Sequence, residues 1–194
     1  LTIRVAVEAF GNQTAAWQQI IGFAAVASIV VGALGAIWQT NLKRLLAYSS
    51  INNVGFMLVG LTAASPEGVS AMLVYLAIYV PMTIGGFVAV LMLRDAEGRQ
   101  LEAISDLAGL SSTRPLLALG LGSVMFSMAG IPFFFGFWGK FVVFQAAVAA
   151  GLVPLAVIAA AGSVIGAFYY LKIVKVMYFD EPVGKATGQS DMVH

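Results

Sequence analysis

Lys140 is the one charged residue in the interior of the apolar spans of this sequence. A lysine at that depth either holds a fixed positive charge or takes up and releases a proton, and ionisable residues inside a bilayer usually mark an ion or proton path. It stands just past Ala129-Gly130-Ile131-Pro132 and Gly136, inside an apolar run over residues 116–151. As one straight helix that run would be about 54 Å long at roughly 1.5 Å per residue, against a hydrocarbon core of about 30 Å. Pro132 has no amide hydrogen and clashes with the preceding turn, while Gly130, Gly136 and Gly139 accept unusual backbone conformations. The run is therefore expected to break between about Gly130 and Gly136. Non-helical backbone at membrane depth is tolerated only where protein or a water-filled cavity satisfies the freed groups.

Most membrane lysines snorkel to an interface. Lys140 lies ten residues before Ala150, where the helix should end, so about 15 Å of helix separates it from that boundary, beyond the reach of its side chain. None of the nine acids falls in a span interior. Near the start of the second half-helix the positive end of the dipole disfavours a cation, and desolvation acts in the same direction. Both favour the neutral amine and hence a residue that could exchange a proton. An acid outside this chain would oppose them.

Other polar positions carry weaker signals. Ser49, Asn52, Asn53 and Phe56 fall at i, i+3, i+4 and i+7 and share one helical face. Interhelical hydrogen bonding is the simplest use of such a face, with a wet pathway as the alternative. Tyr75, Tyr79 and Thr83 share another face, where buried hydroxyls need partners or water. The sequence has no cysteine, which excludes disulfides, thiolate metal sites and cysteine-ligated iron–sulfur clusters within it, and its single histidine is His194. A net charge of +1 gives no field that would attract nucleic acid.

The elements that must position these residues are helices in a membrane. With 60% hydrophobic and 10% charged residues, the chain reads as an all-α, polytopic transmembrane bundle of about five spans, one of them broken. The spans are expected at about 15–38, 42–64, 68–93, 116–150 (broken near 130–136) and 152–175, in a single transmembrane domain fragment over 1–194. The chain opens without Met and is expected to be an internal piece of a longer protein. Gly32 and Gly35, and later Gly162-x-x-x-Gly166, suit close helix contact. Pro81 should kink the third span. The polar connection 94–114 could hold an amphipathic surface helix through Leu101, Ile104, Leu107, Ala108 and Leu110, or be a solvated linker. The last span, expected to end near Tyr170, closes in an interfacial anchor set of Tyr169, Tyr170, Lys172, Lys175 and Tyr178. Alternation places Lys43, Arg44, Arg94, Arg99, Arg114, Lys172, Lys175 and Lys185 on one side, against Arg4 on the other. The positive-inside rule makes the basic side cytoplasmic, with Lys43 and Arg44 snorkelling to the headgroups.

Three stretches together resemble a known family: Asn41-Leu42-Lys43-Arg44-Leu45-Leu46-Ala47-Tyr48-Ser49-Ser50-Ile51, then Ala129-Gly130-Ile131-Pro132 continuing to Gly136-Phe137-Trp138-Gly139-Lys140-Phe141, and Tyr169-Tyr170-Leu171-Lys172-Ile173-Val174-Lys175-Val176-Met177-Tyr178. They are similar to the antiporter-like membrane subunits of respiratory complex I, NADH:quinone oxidoreductase, and the first two are shared with Mrp-type cation/proton antiporters. The third, continued by Asp180-Glu181-Pro182, favours the complex I branch. The resemblance implies about fourteen helices in two inverted repeats, of which this chain would be most of the second. It places the family's proton-transfer lysine at Lys140, with Lys43 and Tyr48 as secondary polar positions and Gly130, Pro132 and Gly136 at the helix break. Many relatives have histidine where Asn53 stands, and Pro132-Phe133-Phe134-Phe135 is bulkier than the common pattern, which would narrow water access beside the break. The implied function is proton translocation coupled to quinone reduction, in a bacterial cytoplasmic (inner) membrane. No cofactor is expected in this chain; NADH, FMN, iron–sulfur clusters and quinone belong to partner subunits. The expected partners are the other membrane subunits, lipid, protons and water. A Mrp-type Na⁺/H⁺ antiporter subunit and an inert membrane scaffold are the alternatives.

Overall fold

The computed structural model describes residues 1–182; Lys185 and His194, both singled out by the sequence, lie outside that range. Short helical turns lead in, α1 (Thr2–Arg4), a π-turn over Val5–Ala9 and a 3₁₀ turn over Gly11–Gln13. Three long helices follow, α2 (Thr14–Ile37), α3 (Leu42–Thr62) and α4 (Pro66–Leu91). Their starts are written in the sequence. Asn41, in extended backbone, accepts the Arg44 N–H on its side chain at 3.1 Å, and Ser65 accepts that of Gly68 at 3.0 Å ahead of Pro66. Pro81 sits inside α4, which runs on without interruption.

The overlong run is divided. A short α5 (Leu110–Thr113) precedes α6 (Pro115–Ala129), then comes non-helical backbone, then α7 (Phe135–Ala149). Each half has 15 residues, or about 22 Å at 1.5 Å per residue, too short to cross alone. Among the described residues four helices are long and apolar enough to span a membrane, the fourth being α8 (Val153–Phe179). With the broken pair these make five crossings, and the chain is a multi-pass membrane protein.

Small residues set the closest approaches. A Cβ at Gly32 would collide with the Asn52 backbone, one at Gly35 with the Tyr48 ring, and one at Gly162 with Ile29. Thus α2 lies tightly along α3, and the glycine face of α8 turns towards both. The two halves are held separately, because α6 packs chiefly on α8 while α7 packs chiefly on α4.

Two expectations from sequence are corrected. Residues 101–110 form no surface helix. Ala103 is extended and Gly109 is left-handed at φ +72°, so only a 3₁₀ turn, Ile104–Leu107, and α5 form, and Ile104, Leu107 and Leu110 are buried in the bundle end. Backbone bonds from Leu42 N–H to Glu102 and from Ile104 N–H to Thr40 (2.7 and 2.8 Å) hold this connection on the α2–α3 loop. Second, α8 continues to Phe179, and Tyr169 and Tyr170 are fully buried rather than interfacial; only Tyr178 of the three is exposed. Their hydroxyls are occupied inside the bundle. The loop at 39–41, the connection 92–114 and the end of α8 meet at one end of the molecule, so the basic residues of that set within the described range, all but Lys185, share an end, although Lys43 pairs with protein rather than reaching for headgroups.

Candidate functional site

The site begins with how α6 ends. Gly130 takes φ +79°, Gly130 N–H donates to Ser127 O at 3.0 Å, and Ile131 N–H reaches back to Phe126 O at 3.2 Å. This is a Schellman closure, and it uses the carbonyls of Phe126 and Ser127. Those of Met128 and Ala129 come next. Ile131 then turns sharply through Pro132 and Phe133, with Phe134 N–H donating to Ile131 O at 3.2 Å. Phe133 has φ +82°, the left-handed value that the third residue of a proline-led type II turn requires and that glycine usually supplies. The aromatic bulk of the turn lies largely at the surface. Phe133 and Phe135 face outwards, and Phe134 lies against Phe126.

The second half starts pressed against the first. Gly136 donates its N–H to Ser127 Oγ at 3.0 Å, and a Cβ there would fall on Ser127 O. Side chains on a helix tilt towards its N-terminus, so Lys140, one turn further on, points back at the break. Its Nζ donates to Met128 O at 3.0 Å, to Ala129 O at 3.4 Å and to Ser163 Oγ of α8 at 3.1 Å. Lys140 is only 5% exposed. The carbonyls left over by the closure are therefore the ones its ammonium satisfies.

This geometry revises the dipole argument. The start of α7 does disfavour a cation, but the side chain places its charge at the C-terminal, negative end of α6, where a cation is welcome. The Phe56 ring adds an aromatic face 5.0 Å from Nζ. No acid forms an ion pair with Lys140 among the described residues.

Beside the lysine lies a buried polar cluster. Tyr75 Oη donates to Asn53 Oδ1 at 2.6 Å, Asn53 Nδ2 donates to Ser49 O at 2.8 Å and Tyr170 Oη at 3.1 Å, and Ser49 and Tyr170 share a hydrogen bond. Asn52 Nδ2 donates to Tyr169 Oη at 3.1 Å. Asn52 Oδ1 and Thr83 Oγ1 are buried without a hydrogen-bond partner among the described residues. The shared face of Ser49, Asn52 and Asn53 thus joins α3 to α4 and α8. Phe56, on the same face, lies between the cluster and the lysine, its ring stacked towards Tyr75.

Lys43 and Tyr48 stand apart from this centre. Lys43 bonds Gln100 and Glu102, both at 2.8 Å, and Tyr48 lies on Gly35. The Lys43 and Asn41 bonds, the former the larger influence, hold the Glu102 carboxyl below its ordinary range. Residues missed from sequence are Ser163, Tyr169 and Tyr170 as inward-facing groups. A hydroxyl between Gly162 and Gly166, in a stretch otherwise apolar, was the available signal for Ser163.

Comparison with known proteins agrees with this architecture. Residues 1–166 match the model of the family described as NADH:quinone oxidoreductase/Mrp antiporter, TM. NADH-quinone oxidoreductase subunit N of Erythrobacter litoralis is 66% identical over the whole chain, which covers 40% of that relative. The subunit N of Rhizorhabdus wittichii is 58% identical over 94% of the chain and 38% of its own length. A chain of respiratory complex I from Thermus thermophilus with bound NADH superposes with a TM-score of 0.80 at 27% identity, covering 92% of this chain and 38% of that one. A chain of the Mrp complex of a Dietzia species gives 0.77 at 28% identity, over 86% and 31%. The chain thus spans about two fifths of the length of the curated relatives it matches.

Proposed function

The chain belongs to the NADH:quinone oxidoreductase/Mrp antiporter membrane family, and on that premise we propose that it is part of a proton-translocating subunit of complex I, corresponding to subunit N, in a bacterial inner membrane. It moves protons across the bilayer as quinone reduction proceeds in partner subunits. NADH, FMN, iron–sulfur clusters and quinone are handled by those partners, and this chain carries no redox step. Lys140 is the proton-carrying group.

The supporting observation is the bond from Lys140 to the Met128 and Ala129 carbonyls across a broken membrane helix. A buried amine held by neutral oxygens, with no acid paired to it among the described residues, sits where losing a proton does not strand a counter-charge. The charged form is stabilised by the carbonyls and the Phe56 ring, the neutral form by burial. In the assembled complex, reconstituted in vesicles, Lys140→Ala should greatly reduce NADH-driven proton pumping and slow NADH oxidation with it. Near-normal pumping would leave Lys140 an inert structural residue.

The likeness to an Mrp complex supports a second reading, a cation/proton antiporter subunit. The 66% identity to a complex I subunit over the full chain favours the first. Copurification of the full-length protein with a peripheral NADH-oxidising arm separates the two.

A further inference from the structure

We propose that Ser163 of α8 is the protein group through which Lys140 exchanges its proton, a positioning and relay hydroxyl for the lysine; this rests on Lys140 being the proton carrier. Each protein group placed around the amine has a defined capacity. Met128 O and Ala129 O, at 3.0 and 3.4 Å, are backbone carbonyls, which accept hydrogen bonds and donate none. The Phe56 ring, at 5.0 Å, attracts a cation through its face and neither takes nor gives a proton. Ser163 Oγ, at 3.1 Å, is a hydroxyl, with lone pairs to accept and a hydrogen to give.

The distinction matters when the lysine loses its charge. An ammonium is satisfied by three acceptors. A neutral amine keeps two hydrogens, which the two carbonyls can hold, but it gains a lone pair that needs a donor. Of the four groups only Ser163 supplies one, by turning its hydrogen towards Nζ. Both protonation states are thus fully hydrogen-bonded, with no movement of backbone. The same hydroxyl provides the route. In release, an N–H bond of Lys140 breaks as its proton joins Ser163 Oγ, and the serine's original proton leaves from the other side to a water molecule. The hydroxyl is regenerated, the amine is neutral and the water is protonated; uptake is the reverse. Lys140 is buried and Ser163 half-buried among the described residues. Helix packing places the hydroxyl. Gly162, one residue before it, lies against Ile29, and Gly166, one turn after, lies near Tyr169 Oη and Asn52 Nδ2, which fixes the rotation of α8 about its axis.

The test uses the whole assembled complex in vesicles, with NADH-driven proton pumping and NADH oxidation measured for Ser163→Ala, Ser163→Thr and Lys140→Ala. Alanine keeps the size and removes the hydroxyl, and threonine restores it. The expected result is a severalfold loss of pumping in Ser163→Ala and recovery of most of it in Ser163→Thr. Normal pumping by Ser163→Ala, beside an impaired Lys140→Ala, overturns the relay and leaves the lysine's role standing. Equal impairment of the alanine and threonine variants also overturns it, because packing rather than the hydroxyl would then be at issue. Normal pumping by Lys140→Ala overturns both. Should Ser163→Ala fail to assemble, Ser163→Val, which matches the threonine variant in shape and lacks its hydroxyl, replaces it, with the same expected loss and the same refuting result.

Discussion

Lys140 lies against the face of Gly130 where a side chain would begin: an ideal Cβ on Gly130 would come within 3.0 Å of Lys140 Cδ and 3.4 Å of Nζ. Gly130 therefore serves two needs at once. It supplies the left-handed residue that closes α6, and it leaves the path by which the lysine reaches the carbonyls behind it.

Gly130→Ala is predicted to lose both. A left-handed alanine costs about 1–2 kcal/mol, and the added methyl must push the lysine stem off its acceptors. Gly98→Ala provides the comparison, since Gly98 also has a left-handed φ, +80°, but nothing lies within 4 Å of its would-be Cβ. Both variants should lower the thermal stability of the complex, and only Gly130→Ala should impair pumping. Equal pumping by the two would show that the lysine does not depend on that space.

Much of this centre is legible in the residues. Pro132 among glycines in an overlong apolar run gives the break, and the distance from Lys140 to the helix end gives its depth. The direction of its side chain is not, because a dipole argument made at the Cα misses that a lysine extends back about a turn and changes which helix end it meets. The inward turn of Tyr169 and Tyr170 is equally hidden. In a helix that is apolar all round, no stripe tells which face is buried, and the sequence Tyr-Tyr-Leu-Lys suits an interfacial girdle as well as a buried hydroxyl cluster. Ile104, Leu107 and Leu110 mislead for a related reason: their spacing fits an amphipathic helix, but Gly109 turns left-handed and the three become a plug.

The contact of Glu102 with Lys43 and Asn41, at 2.8 and 3.1 Å, predicts a pH dependence. The folded carboxyl titrates below its unfolded value, by the Lys43 bond first and the Asn41 bond next. Its contribution is therefore complete above the ordinary carboxylate range and is lost as pH falls through the lowered folded value. Hydrogen-exchange protection at residues 100–104, corrected for the intrinsic exchange rate at each pH, should fall on acidification through that window, and Glu102→Gln should remove the dependence. An unchanged acid response in Glu102→Gln would assign it to another group.

Orientation gives a prediction about sidedness. Ala96, in the basic connection, and Glu67, in the first turn of α4, are both exposed and separated by the length of that helix. Cysteines placed singly at these positions in the full-length protein should label from opposite faces, with Ala96→Cys reached from the cytoplasm. Labelling of both from one face would refute the topology.

The last prediction separates a proton carrier from a fixed charge at position 140. Lys140→Arg keeps the positive charge, and a guanidinium has several donors with which to hold the Met128 and Ala129 carbonyls and Ser163 Oγ. It does not release a proton at accessible pH. If the break needed only a cation to satisfy its carbonyls, the arginine complex should assemble and pump nearly normally, while Lys140→Ala would fail through those unsatisfied groups. If the residue must give up its proton in each cycle, the arginine complex should assemble and yet pump severalfold more slowly, with NADH oxidation slowed alongside. The second outcome is expected. Assembly is checked first, because the wider guanidinium must pass Gly130, where the lysine stem is already close-packed. An assembled Lys140→Arg complex with normal pumping would rule out proton exchange at this residue and leave its charge as its function.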